Sequence, residues 1–166
     1  MRLTSVLLAA ACLALTVPAI AQPGPEHKKL DGFVGRFTVD IDVKASGATP
    51  ASKASGTETC ESFANLHVVC RTEATGAAGL YKSMRTLSWV PALKQYAVYT
   101  IDSLGYATLT TGTASGSTWT FSSDLGGYKL RTIVKTTAGG YTSTSEYAGA
   151  DGKWITSAVI TGTRAK

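Results

Sequence analysis

The sequence predicts an all-β fold: roughly ten antiparallel strands in an up-and-down barrel, with a short N-terminal helix closing one end. Three observations lead there. From Gly35 onward, short runs of alternating polar and apolar residues recur roughly every 10 to 15 residues. Clusters of Gly, Pro, Asp and Ser separate them, and no gap is long enough for a parallel crossover of about a dozen residues. Ten sequential strands in an open sheet would leave two edges exposed to aggregation, and closure removes them.

The first strand is the clearest. In Arg36 to Lys44, RFTVDIDVK, the residues Phe37, Val39, Ile41 and Val43 share one face, and Thr38, Asp40, Asp42 and Lys44 the other. Strands follow at Gly56 to Phe63, His67 to Thr75, Met84 to Val90 and Gln95 to Asp102. Thr108 to Ala114, Thr118 to Ser123, Tyr128 to Thr136, Tyr141 to Tyr147 and Lys153 to Thr163 complete the set. Val90 to Lys94 turns at Pro91, while Ser115-Gly116-Ser117 and Ala138-Gly139-Gly140 supply hairpin glycines. Asp151-Gly152 reads as a type I′ turn. Ala45 to Ser55 reads as a flexible loop. Ahead of the strands, Gly24 can cap a helix of about two turns, Pro25 suits its first position, and Glu26 favours its positive end. Leu30, Phe33 and Val34 form its apolar side, and Gly32 and Gly35 stop it.

The first 21 residues read as a secretory leader: Arg2, an apolar run from Leu3 to Val17, and Ala19-Ile20-Ala21 at the cleavage site. Cys12 leaves with it. Residues 22–166 then form one domain, expected to be periplasmic or secreted, with no stable membrane span after cleavage. The formal net charge of the whole chain is +5. The basic residues are scattered, with no cluster denser than Lys28-Lys29, so no nucleic-acid partner is expected.

Cys60 and Cys70 remain in an oxidising compartment, where an even count favours a disulfide. Folding Gly56 to Glu73 as a hairpin about Asn65 sets Cys60 opposite Cys70, with Ala64 to Leu66 as the loop. Opposed Cα atoms about 4.5 to 5.5 Å apart suit a disulfide. Closing roughly ten residues contributes about 2.5 to 3 kcal/mol in the loop-entropy account. Two unpaired small hydrophobes are the alternative. A metal site lacks ligands, because only His27 and His67 accompany the pair. The spacing is also not that of a redox Cys-x-x-Cys motif.

The order of motifs resembles a known family. Pro25-Glu26-His27-Lys28-Lys29-Leu30 and Gly35-Arg36-Phe37 are similar to the opening of the DUF1579 family. The similarity continues in Trp89-Val90-Pro91-Ala92-Leu93-Lys94-Gln95-Tyr96, Ile101-Asp102-Ser103-Leu104-Gly105, Ser117-Thr118-Trp119-Thr120-Phe121 and Asp151-Gly152-Lys153-Trp154. Two positions depart: Phe37 stands where a Gly-x-Trp would be the lipocalin-like form, and Val90 where Asp is commoner. The resemblance implies a calycin-like barrel, related to lipocalins and fatty-acid-binding proteins, and hence a cavity. It implies no reaction.

Motifs for catalysis are missing. The serine of Gly112-Thr113-Ala114-Ser115-Gly116 is one position late for a nucleophile elbow. There is no P-loop, H-E-x-x-H or calcium loop. His27 and His67 read as hydrogen-bonded or exposed residues. The haem-binding barrels of the superfamily use a late-strand histidine, and none follows His67, so no cofactor and no metal are expected. Glu58, Asp102 and Glu146 could each pair with Arg71, Arg85 or Arg131, and a buried pair would be an anchor for a polar ligand head. A ten-stranded barrel is too wide for side chains to fill easily. Trp89, Tyr99, Trp119 and Arg131 are expected to line its cavity. The expected role is binding a small hydrophobic or amphipathic molecule, without catalysis. The alternatives are an envelope interaction module with a filled barrel, and an enzyme using Glu or Asp as a base inside it.

Overall fold

A computed structural model describes residues 22–46 and 50–166, so the expected leader lies outside the described residues. Ten strands form a closed antiparallel barrel in which every strand pairs with its sequence neighbours. They are β1 (Gly35–Val43), β2 (Ser52–Phe63), β3 (His67–Gly76), β4 (Gly79–Val90) and β5 (Gln95–Asp102). Then come β6 (Ala107–Ser115), β7 (Thr118–Leu125), β8 (Tyr128–Thr137), β9 (Gly140–Ala148) and β10 (Trp154–Arg164). Closure comes from β1 against β10, in register from Phe37↔Arg164 to Val43↔Ala158.

Two strands begin earlier than the sequence pattern indicates. Ser52 to Ser55, expected as loop, pairs with Asp40 to Val43 of β1. β4 starts at Gly79, behind a two-residue turn at Ala77-Ala78 where Gly79 has φ +97°. At Ser52 to Ser55 weak local β-propensity is overridden because the barrel supplies a partner strand on each side. The Asp151-Gly152 turn also differs from the expected two-residue form. Only Gly152 has positive φ, and the loop closes through Gly149 N–H to Lys153 O and Gly152 N–H to Gly149 O.

Three glycines let the sheet curve. An added Cβ would lie 1.9 Å from the Glu73 carbonyl oxygen at Gly56, and at the same distance from that of Thr120 at Gly112 and that of Gly162 at Gly140. Each marks a place where neighbouring backbones approach too closely for any side chain. A bulge between Thr156 and Ala158 in β10 shifts the alternation. Ala158 and Ile160 then continue the interior face, opposite Ser145 and Ser143, while Trp154 is turned outward.

The helix α1 (Pro25–Lys29) and a following 3₁₀ turn (Leu30–Phe33) plug one end. Gly24 N–H donates to His27 Nδ1 at the helix start. Leu30 and Phe33 are buried in the core. Phe33 meets Trp119 edge-on at 5.0 Å, and Tyr96 lies 4.7 Å from Trp119 and 4.9 Å from Trp89. Aromatic rings of this size fill a wide barrel end and prefer tilted contacts. The Tyr96 hydroxyl donates to the Glu26 side chain, tying the helix to β5. At the C-terminal side of the plug, Arg164 Nη1 donates to Val34 O at 2.8 Å, with its guanidinium over the Phe37 ring.

Candidate functional site

The plug and the aromatic cluster fill only one end of the barrel. Toward the other end the interior holds a cavity of ≈ 230 Å³. The inward face of each strand supplies its wall by the period of two. Ile41, Leu87, Val98, Val134 and Ile160 form apolar surface, and Phe33 and Phe121 lie at the plugged end. Between them stand hydroxyls: Thr100 on β5, Thr108 and Thr110 on β6, Thr132 on β8, Ser143 and Ser145 on β9. Two other depressions, near Asp40 and Lys53 and near Met84 and Ile101, are open to solvent.

One polar network sits in the cavity wall. Glu58 of β2 is 2 % exposed. Its Oε1 accepts from Tyr141 OH at 2.7 Å and Arg85 Nη2 at 2.8 Å, and its Oε2 accepts from Thr72 Oγ1 at 2.8 Å and lies 2.8 Å from the same nitrogen. A carboxylate this buried persists because it has both a countercharge and hydroxyl donors. Burial lowers the pKa of Arg85, but the Glu58 carboxylate and the Tyr141 oxygen outweigh it and hold the guanidinium more firmly charged than usual. Burial, opposed by Arg85 and reinforced by Glu58, pushes the Tyr141 hydroxyl up to about 12. Arg85 bonds through Nη2, and its Nε is buried with no partner among the described residues. Arg85 also lines the cavity.

The disulfide is present. Cys60 on β2 and Cys70 on β3 are direct cross-strand partners, bonded through sulfur, with Cα atoms 4.0 Å apart. The hairpin between them turns at Ala64 and Asn65, both at positive φ. The pair is buried beside Glu58, whose Oε1 lies 3.5 Å from Cys60 Sγ. A disulfide sulfur carries no proton, so this contact is not a hydrogen bond. The grouping of Glu58, Cys60 and Cys70 within 4.8 Å also does not form a ligand set while the sulfurs are bonded to each other.

The four residues expected in the cavity take different places. Trp89 and Trp119 point inward but belong to the aromatic packing beneath the plug. Tyr99 lies on the outer face and is 47 % exposed, between Thr86 and Leu109. Arg131 also points outward, since Thr132 and Val134 of the same strand line the cavity. It binds Glu146 at 2.6 Å and stacks over Trp154 at 4.2 Å. The buried ion pair inside the barrel is Arg85 with Glu58, one of the pairings the sequence allows. Tyr81 and Ser83 were outside every expected strand and line the cavity. The alternation in Gly79-Leu80-Tyr81-Lys82-Ser83, after a Gly-Ala-Ala-Gly turn, carries the signal that would have found them. His27 caps the helix, and His67 bonds Ser88 Oγ at 2.8 Å.

Comparison with known proteins bears on the fold. The structure of Rv2717c from M. tuberculosis superposes with a TM-score of 0.67 at 8 % identity, over 87 % of this chain and 100 % of that one. A de novo designed fluorescence-activating β-barrel matches at a TM-score of 0.46 and 10 % identity, over 81 % and 95 % of the two chains. A redesigned barrel, mFAP0, bound to DFHBI gives 0.43 and 12 % over 80 % and 99 %. The likeness to the designed barrels stops at strand layout. No curated protein matches the chain. Among the described residues, no helix is long and apolar enough to cross a membrane. The motifs strung from the helix to the last strand are matched as one unit, because residues 22–164 fit the family described as "protein of unknown function (DUF1579)", and the chain belongs to it.

Proposed function

We propose that the protein is an exported, non-catalytic barrel that binds a small, largely apolar molecule with one polar end. The cavity carries this reading. It combines an apolar wall, a ring of hydroxyls and a charged pair whose Arg85 keeps an unused Nη1 donor, the mixture of apolar surface and few directed polar groups found in ligand sites. An apolar cavity of about 150 Å³ holds benzene, so ≈ 230 Å³ suits a ligand on the order of ten heavy atoms. That is below the roughly 300–1,000 Å³ of drug-sized sites, and the ligand class is correspondingly small.

A binding role without catalysis is supported by how Glu58 is held. Both oxygens already accept hydrogen bonds from fixed neighbours, so it is poorly placed to take a proton from a substrate. Export is supported by the disulfide. A water-facing barrel is supported by the exposed Asp40, Glu61, Arg71 and Glu73 on β1, β2 and β3, where a membrane-spanning barrel would carry an apolar band.

The test is native mass spectrometry of the protein isolated gently from its own compartment, before and after denaturation. A released mass of one to a few hundred daltons, absent after Leu87→Trp fills the cavity, is the expected result. A chain that is apo as isolated, and whose cavity takes up no small aromatic or aliphatic probe at millimolar concentration, defeats the reading. A second reading has one observation in its favour. Tyr99, Ile101, Met84 and Leu109 form an exposed apolar strip across β4, β5 and β6, as an interaction module would. Crosslinking to a protein partner through that strip would favour it.

A further inference from the structure

We infer that Glu58 sets the charge class of the ligand: the cavity takes an uncharged molecule bearing one hydrogen-bond acceptor, such as a ketone, ether or phenol oxygen, and rejects the carboxylate of the same shape. This rests on the reading that the cavity binds a small molecule.

Two facts about Arg85 decide it. Its positive charge is already balanced, because Nη2 lies 2.8 Å from both oxygens of a carboxylate that is itself almost fully buried. Yet its hydrogen-bonding capacity is incomplete: every side-chain bond it makes among the described residues uses Nη2, while Nη1 is unpaired on a side chain that lines the cavity and is 21 % exposed. The cavity wall therefore offers a charge-assisted donor but no net charge.

A neutral oxygen gains the donor at little cost, since a hydrogen bond from a charged group is stronger than a neutral one. A carboxylate would gain the same bond. It would also lose its hydration and meet Glu58 at nearly the distance at which it meets Arg85, so attraction and repulsion largely cancel. The other titratable groups facing this point, Tyr81 and Tyr141, have their pKa values raised and stay neutral at ordinary pH. Neither supplies a compensating cation. The hydroxyls of Thr72 and Tyr141 are both turned to Glu58 and cannot serve an anion. Ile41, Leu87, Val98 and Ile160 receive the apolar skeleton.

The test uses three probes of one shape: isopropylbenzene with no acceptor, acetophenone with a neutral acceptor, and benzoate with a charged one. Affinities are measured by ligand-observed NMR on the disulfide-bonded protein at pH 7. The expected order is acetophenone first, isopropylbenzene second and benzoate last, with at least tenfold between acetophenone and benzoate. Glu58→Gln should then favour benzoate by tenfold or more relative to the native ratio, with a salt dependence the native protein lacks. Arg85→Gln should weaken acetophenone toward isopropylbenzene. The order in the native protein stands by itself if either variant folds poorly by near-ultraviolet circular dichroism. Benzoate binding as well as acetophenone to the native chain would overturn the charge rule while leaving the binding reading in place. If none of the three probes binds, the binding reading falls and the charge rule falls with it.

Discussion

At the residue scale, the interior is organised around Glu58. Tyr141 donates to it from β9, Thr72 from β3 and Arg85 from β4, so one carboxylate ties together four strands that are not all neighbours. Tyr141→Phe removes a donor from a buried charged acceptor and should cost about 1.5–3 kcal/mol in urea unfolding. The same residue gives a pH signature. Its hydroxyl is raised from an ordinary value near 10 to about 12 in the folded protein, so between those values the folded state holds a proton that the unfolded state has released. Stability is then full below about pH 10 and falls as pH rises toward 12, by on the order of 2–3 kcal/mol from this residue. Tyr81 and Tyr96 are raised as well and act in the same direction. Unfolding followed from pH 9 to 12 should show a shallower decline in Tyr141→Phe than in the native chain. A decline of equal slope would mean that Tyr141 is not protonated at the cost of its anion.

The anchor was within reach of the sequence, and its partner choice was not. Glu58 and Cys60 share a face by their spacing of two, and Arg85 stands among the three arginines that could reach a carboxylate. Choosing between Arg85 and Arg131 requires the phase of two strands. In β8, Leu130, Thr132 and Val134 alternate with Arg131, Ile133 and Lys135, and both faces carry apolar and polar residues. Hydrophobicity is a poor guide toward the open end, where a cavity accepts Thr100, Thr110, Thr132 and Ser143 inward while Tyr99 and Leu109 face outward. A barrel that encloses space, rather than a packed core, blurs the contrast on which alternation depends.

At the element scale, strand existence was far more legible than strand extent. The hairpin at Ala64 to Leu66 and the pairing of Cys60 with Cys70 follow directly from alternation and turn residues. The start of β2 does not, because Ser52-Lys53-Ala54-Ser55 has little strand character until β1 and β3 lie on either side. The bulge in β10 is equally silent in the sequence, yet it decides that Trp154 lies over Arg131 outside the barrel. Two substitutions test the elements. Gly56→Ala or Gly112→Ala drives a methyl into a neighbouring carbonyl and should cost on the order of 1–3 kcal/mol or more, as overpacking does; Gly32→Ala, which meets nothing within 4 Å, is the control. Reducing the disulfide, which closes a separation of ten residues, should lower stability by about 2–3 kcal/mol, read as a shift in the urea midpoint with and without reductant. An unchanged midpoint would place the stability of the β2–β3 hairpin in its ladder alone.

At the scale of the whole molecule, the division of the barrel into a filled half and a hollow half is the main result. The N-terminal helix was expected at one end and is found there, but its effect on the tryptophans was not foreseen. Trp89 and Trp119 are recruited to support Leu30 and Phe33, which leaves the cavity wall to smaller residues. Sequence reading ranks residues by size and polarity. The plug reassigns the largest ones to packing, and only the three-dimensional arrangement reveals that. Arg164→Ala should show how far this lid depends on the end of the chain. It removes the bond to Val34 O and the cover over Phe37. The expected loss is about 2 kcal/mol, with faster amide exchange at the Val34 N–H that bonds Asp31 O.

The seam between β1 and β10 also imposes an order on the chain's biogenesis. The first strand cannot find its second neighbour, nor the lid its latch, until residues Ala158 to Arg164 have left the ribosome. Until then the sheet is open and the outer edge of β1 is unpaired, and contacts between the ends of the chain form late and slowly. Locking comes last, in whatever compartment the C-terminus finally reaches.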